Sequence, residues 1–244
     1  RNSPPLGLCS LAAAAREKGY KVYIIDAPVL DYGYQEIVKK IRGISPKYIG
    51  ITASTIAINS AGKLARELKL SSKEFVILIG GPHVTALPKE TLLKYPDFDF
   101  GVIGEGEEVL MDLLSSLEDK RDLSLVKGLV FRKHGKIMMT ERRPYINNLD
   151  VLPIPAWDLL PPLAKYYRSS PQSFNRLPST SLVTSRGCPN QCTFCDRSIF
   201  GNFLRGYSPA YVLKMLRILV HQYGIKHILF DDDTFTILKS RLKE

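Results

Sequence analysis

The chain has 244 residues, of which 45% are hydrophobic and 24% charged, a balance that excludes a disordered or fibrous protein and suits one or two globular domains. No apolar run approaches the roughly 20 residues a membrane-crossing helix needs, and the start, Arg1-Asn2-Ser3-Pro4-Pro5, does not read as a secretory signal. The net charge of +10 is uneven: residues 1–120 carry 15 Lys+Arg and 15 Asp+Glu, residues 121–244 carry 19 and 9. Such asymmetry can mark a nucleic-acid or acidic partner, but no block of like charge is present, so a domain separated from its acidic remainder is the plainer reading.

The elements follow in order. Leu6–Lys18 reads as a helix built on Leu8, Leu11, Ala12 and Ala15 and stopped by Gly19. Lys21–Asp26 reads as a strand, Gln35–Arg42 as a helix, Tyr48–Thr52 as a strand and Asn59–Leu70 as a helix. Phe75–Ile79 is almost wholly apolar, as a strand buried on both faces must be. A short helix at Lys89–Lys94, a strand at Phe98–Ile103 and a helix at Glu107–Leu117 continue the rhythm. That β-α-β alternation predicts an α/β domain with a parallel sheet covered on both sides. The first helix comes without a preceding strand, and there is no initiator methionine, so the sequence reads as an internal piece of a longer protein.

Gly128–Arg132 and Lys136–Thr140 flank His134-Gly135, a hairpin signal. Residues 143–178 are rich in proline, tyrosine and serine and read as an extended linker docked through Trp157, the only tryptophan. A second domain opens with a strand at Ser181–Thr184, continues through a helix at Pro209–Tyr223 and a strand at His227–Phe230, and stops one helix later. The expected division is 1–125, 126–178 and 179–244, the last being the beginning of a sheet or barrel that it cannot close alone.

Three of the four cysteines, Cys188, Cys192 and Cys195, lie within eight residues. A secreted disulfide scaffold would spread them out, so a reducing compartment, the cytoplasm, is expected. Cys9, alone among alanines and leucines, reads as a buried, inert thiol. The loop Ser185-Arg186-Gly187-Cys188-Pro189-Asn190-Gln191-Cys192-Thr193-Phe194-Cys195 has the pattern C-x3-C-x2-C directly after a strand. Structural zinc takes four protein ligands, and no fourth cysteine or suitably spaced histidine follows. Iron–sulfur clusters are held by thiolates, and three of them leave one iron open to a cofactor; three buried cysteines or an incidental zinc site is the alternative.

This loop resembles the cluster-binding signature of the radical S-adenosylmethionine superfamily, including the aromatic Phe194 before the last cysteine. The resemblance implies a [4Fe–4S] cluster on Cys188, Cys192 and Cys195, with S-adenosylmethionine chelated at the open iron and cleaved reductively to a 5′-deoxyadenosyl radical. It places Phe194 near the adenine and Asp232 or Asp233, in Phe230-Asp231-Asp232-Asp233-Thr234, toward the amino group of S-adenosylmethionine. The competing reading of these carboxylates is a helix N-terminus favoured by the dipole.

The first domain carries Gly80-Gly81-Pro82-His83 after its most buried strand and Gly104-Glu105-Gly106-Glu107 after the next. Glycines at the carboxyl ends of strands permit close backbone approach by a ligand. With Pro5-Leu6-Gly7 in front, the cysteine loop behind and the phrase Leu152-Pro153-Ile154-Pro155-Ala156-Trp157-Asp158 between, the order resembles cobalamin-dependent radical S-adenosylmethionine enzymes over nearly the whole chain. The resemblance implies a Rossmann-like cobalamin-binding domain followed by the start of a truncated radical S-adenosylmethionine partial barrel. Gly80, Gly81, Gly104 and Gly106 would line the cobalamin, and Thr52 and Ser54 would lie near its nucleotide tail. Methionine synthase-like domains use D-x-H-x-x-G before the first helix, the His replacing the lower cobalt ligand; Asn2-Ser3-Pro4-Pro5-Leu6-Gly7 stands here instead, so no lower His ligand is expected from this loop. His83 could ligate or satisfy a backbone partner. Asp26 could bind a ribose, but G-x-G-x-x-G is absent from the first turn, which weakens a nicotinamide reading. Glu105 and Glu107 could touch cofactor or cap the next helix.

The reading that results is an enzyme methylating an unactivated carbon of a small-molecule substrate, with an external electron donor such as flavodoxin or ferredoxin. Radical cyclisation, rearrangement or oxidation without methyl transfer is the alternative, and a non-catalytic cobalamin and iron–sulfur sensor module is the alternative of another class. RNA modification is prompted only by the basic second half, with no aromatic-plus-basic motif behind it. The catalytic residues and the substrate are not legible.

Overall fold

Apolar runs separated by glycine and proline stops set the element order of the computed structural model, which describes residues 3–167 and 176–244. In chain order come α1 (Leu6–Glu17), α2 (Ala27–Leu30), α3 (Tyr34–Ile44), β1 (Tyr48–Thr52), α4 (Ile58–Ser71), β2 (Val76–Gly80), α5 (Pro82–Ala86), α6 (Pro88–Lys94), β3 (Phe100–Val102) and α7 (Gly106–Glu118). Then follow β4 (Leu129–Lys133), β5 (Lys136–Met139), α8 (Leu163–Tyr166), β6 (Ser179–Leu182), β7 (Ser185–Arg186), β8 (Arg205–Gly206), α9 (Pro209–His221), β9 (His227–Phe230) and α10 (Lys239–Lys243). Part of the expected linker, residues 168–175, lies outside the described residues, as does Asn2 of the loop before α1.

Packing divides the chain into two units, Asp31–Tyr145 and Arg1–Leu30 with Ile146–Glu244. These boundaries fall elsewhere than the composition shifts near 125 and 178, because α1 buries its apolar face against the linker.

The unit Asp31–Tyr145 holds a five-stranded sheet in the order β1-β2-β3-β4-β5. β1 and β2 pair in parallel from Tyr48↔Val76 to Thr52↔Gly80, and β2 pairs in parallel with β3 through Leu78↔Phe100 and Ile79↔Gly101. β4 runs antiparallel to β3, and β5 antiparallel to β4. The β4–β5 turn is two residues long, His134 at φ 51° and Gly135 at φ 75°, the left-handed pair that a tight hairpin needs. Ile77, Leu78 and Ile79 are buried, as a central parallel strand requires. Leu78, Val102, Val109, Leu113, Leu129 and Phe131 form one core between the sheet and α7. Beside it, Lys69 of α4 reaches Asp99 at 2.7 Å and donates to the Phe75 carbonyl at 2.7 Å, while Asp99 accepts from the Ile77 amide at 2.7 Å. This clamp ties α4 to the start of β2 and to the segment before β3.

In the other unit, α1 lays Cys9 and Ala12–Ala15 inward. The Ala156 amide donates to the Cys9 carbonyl at 3.0 Å, Arg16 grips Asp158 through both guanidinium nitrogens at 2.6 and 3.1 Å, and the Tyr167 hydroxyl donates to Asp26 at 2.8 Å. Trp157 docks the linker as expected, packing edge-on against Tyr223. Cys9, Leu149, Trp157, Tyr167 and Leu182 share a core with Met215 and Leu219 of α9. α9 starts with Pro209 in its first turn and Ser208 as its cap, the hydroxyl accepting from the Tyr211 amide at 3.1 Å. β6 and β9 pair in parallel from Ser179↔His227 to Leu182↔Phe230.

One expected strand is absent. Lys21–Asp26 forms no ladder among the described residues, although Val22 and Ile24 pack against Ala12, Ala13, Ala156 and Leu159. Apolar alternation there reflects packing onto α1 and the linker, not strand pairing. Among the described residues no helix is long and apolar enough to cross a membrane.

Replacing Lys69 by Met leaves the Asp99 carboxylate without its cation. The expected loss is about 1–3 kcal/mol of stability, read as a lower denaturant midpoint with an unchanged slope; an unchanged midpoint would show that the clamp contributes nothing.

Candidate functional site

In the sheet unit, the carboxyl ends of β1, β2 and β3 carry the expected glycines and hydroxyls. Gly81 has φ 97°, a left-handed conformation that suits glycine. A Cβ there would meet Thr52 Oγ1 at 2.7 Å and the Ala53 carbonyl at 3.1 Å, so the turns after β1 and β2 touch only because this residue has no side chain. Above Gly80 the space is open: a Cβ would find nothing within 4 Å. Gly104, at φ 80°, begins the third turn, and Gly106 opens α7. Thr52 and Ser54 are both exposed.

Thr85, which sequence reading passed over, joins two of these turns. Its hydroxyl donates to the Gly81 carbonyl at 2.9 Å and accepts from the Gly104 amide at 3.1 Å. His83 does not lie in a loop but inside α5, where Pro82 supplies the first helical position. Its amide donates to the Ala53 carbonyl at 3.2 Å and its Nδ1 lies 3.2 Å from Thr55 Oγ1. Burial, and then Lys94, push its pKa below the ordinary histidine value, so the neutral imidazole is favoured. Glu105 takes the cap position of α7 without a side-chain cap bond, and Glu107 lies buried in its first turn.

The second constellation follows β6. β7 and β8 form a short antiparallel ribbon, Ser185↔Gly206 and Arg186↔Arg205, which closes residues 187–204 into a loop. Gly187, at φ 86°, sits in its neck; a Cβ there would lie 2.2 Å from the Phe203 carbonyl oxygen. Arg205 fastens the neck from beneath, donating to the Ile146 carbonyl at 2.7 Å and the Phe200 carbonyl at 2.9 Å. The loop carries Cys188 half-buried and Cys192 and Cys195 exposed, all three as free thiols. The Cys195 amide donates to the Cys192 carbonyl at 3.1 Å, so these two share one turn. Among the described residues no three His, Cys, Asp or Glu side chains are grouped as metal ligands. The donor set suits an iron–sulfur cluster, but the thiols do not converge, and metal sites commonly assemble only on binding. Phe194 is 91% exposed between the last two cysteines.

At the carboxyl end of β9 the two candidate carboxylates separate. Asp232 accepts from the Thr184 amide and hydroxyl, each at 3.0 Å, and from the Ser185 hydroxyl. It ties the ends of β6 and β9 together and is neither a helix cap nor free. Arg241 holds the same corner, donating to the Thr184 carbonyl at 2.6 Å. Asp233 is exposed and has no printed commitment to this corner.

Residues 2–114 match the B12 binding domain family. An uncharacterized methyltransferase of Pyrococcus horikoshii is 41% identical over 239 residues, 98% of this chain and 50% of its own length. The anaerobic magnesium-protoporphyrin IX monomethyl ester cyclase of Rubrivivax gelatinosus is 29% identical over 248 residues, 100% of this chain and 44% of its own. The solved cobalamin-dependent S-adenosylmethionine radical enzyme OxsB, with aqua-cobalamin and S-adenosylmethionine bound, shares the fold at TM-score 0.79 and 24% identity, over 93% of this chain and 31% of that one. This chain belongs to the cobalamin-dependent radical S-adenosylmethionine family. It spans about half the length of the curated relatives it matches. As in that family, a Rossmann-like α/β sheet stands before the cysteine loop in sequence.

The four thiols should separate chemically. Burial, reinforced by Asp26 and Asp158, pushes Cys9 up to about 12, so at neutral pH it offers almost no thiolate. Alkylation of the native, metal-free chain followed by mass measurement should stop at three adducts, on Cys188, Cys192 and Cys195; the fourth should need denaturant. Rapid labelling of Cys9 without denaturant would contradict its burial.

Proposed function

We propose that the protein containing this chain is a cobalamin-dependent radical S-adenosylmethionine enzyme that transfers a methyl group to an unactivated carbon of a small molecule. The observation carrying this reading is the set of three free thiols on one tightly necked loop directly after β6. Cys188, Cys192 and Cys195 would hold a [4Fe–4S] cluster, leaving one iron for S-adenosylmethionine. Phe194 would offer its exposed ring to the adenine, and Asp233 its exposed carboxylate to the amino group, while Asp232 secures the strand ends beneath them. In the sheet unit, the backbone at Gly80, Gly81, Gly104 and Gly106 would receive cobalamin, with Thr52 and Ser54 near its tail. The fit rests on the open surface above Gly80 and the close approach at Gly81. Pro4 and Pro5 before α1 offer no cobalt-ligating side-chain atom. When bound, the cluster supplies one electron to the sulfonium and cobalamin carries the methyl group; the chain orients both and limits water. The electron would come from an external donor such as flavodoxin or ferredoxin.

A second reading, radical cyclisation or oxidation without methyl transfer, is favoured by the cyclase relative. The test is anaerobic reconstitution of the full protein with iron, sulfide and cobalamin, followed by reduction in the presence of methyl-labelled S-adenosylmethionine. The wild type should form 5′-deoxyadenosine, and Cys192→Ala should lose it; equal yields would overturn the cluster assignment. Label entering the bound corrinoid supports methyl transfer, and an unlabelled corrinoid supports the second reading.

A further inference from the structure

The turn between β1 and α4 combines a firm anchorage with an unsheltered apolar tip. Ile56 is 96% exposed, yet the residues around it are tied down. The Ala53 amide donates to the Gly80 carbonyl at 3.1 Å, the His83 amide to the Ala53 carbonyl at 3.2 Å and the Ala57 amide to the Ser54 carbonyl at 3.0 Å. His83, buried in α5, adds its ring contact with Thr55 at 3.2 Å. Singly exposed apolar side chains are common on protein surfaces. What distinguishes Ile56 is its position: the turn that presents it meets Gly81, and the neighbouring Gly80 leaves its face open.

We propose that Ser54–Ala57 is a preformed platform for the flat, largely apolar face of a corrin ring, with Ile56 as the contact and His83 as the positioning residue that holds the turn. This rests on the reading that the sheet unit binds cobalamin. An isoleucine side chain has no lone pair, so it covers a corrin face without ligating cobalt, in keeping with the prolines before α1. Anchoring the turn beforehand removes ordering entropy from the binding step, which gives the His83–Thr55 contact a purpose beyond the stability of α5.

Hydroxocobalamin titrated into the full protein, followed by dissociation measurements and visible circular dichroism of the bound corrin, tests this. Ile56→Asp, at a solvent-exposed position that folding does not need, should weaken binding at least tenfold and change the corrin dichroism. His83→Ala should weaken binding in the same direction, and His83→Asn, which returns a polar atom near Nδ1, should restore it. Wild-type affinity and dichroism in Ile56→Asp would overturn the platform. Equal weakening by His83→Ala and His83→Asn would overturn the positioning role. If the wild type itself binds no hydroxocobalamin, the cobalamin reading fails, and the platform with it.

Discussion

In a parallel pair every strand ends on the same side, so whatever follows the strands is collected along one edge. β1, β2 and β3 deliver Thr52, Gly80-Gly81 and Gly104 to one such edge, and β6 with β9 delivers the cysteine loop and Asp232-Asp233 to another. Each edge is then drawn tight by short-range devices. Gly81 lets two turns touch, Thr85 joins the second to the third, and Asp232 bridges the ends of β6 and β9 through Thr184 and Ser185. The chemistry-bearing residues themselves take little part in these devices, and Cys192, Cys195, Phe194 and Asp233 remain exposed.

This division of labour has an energetic logic. Buried polar groups must find partners or cost stability, so Asp232 and Thr85 are fully engaged where they sit. The thiols escape that requirement by standing on a loop whose neck, not its crown, is constrained. Gly187 and Arg205 fix the neck, which keeps three soft donors within one short segment while leaving their final arrangement to the binding of a metal.

Much of this was legible in the sequence where signals were local. The ranges of Tyr48–Thr52 and His227–Phe230 agree with the structure to the residue, because each is an apolar run with breakers close by. His134-Gly135 announced its turn through the left-handed preference of the pair. Failures came where a pattern had two physical causes. Val22 and Ile24 alternate as in a strand, yet packing against α1 explains them without a ladder. His83 after Pro82 suggested a loop, whereas proline is equally at home in a first helical turn. The bond from Thr184 to Asp232 spans 48 positions, and no local rule announces a partner so distant. Such contacts separate the engaged carboxylate from its exposed neighbour.

The central claim is that Cys188, Cys192 and Cys195 together hold a single cluster. Its most direct test is the iron and sulfide content of the anaerobically reconstituted chain beside a variant with all three cysteines replaced by alanine. Four irons and four sulfides per chain in the native protein, against none in the variant, is the predicted result. Zinc in place of iron, or iron retained after the three thiols are gone, would contradict it.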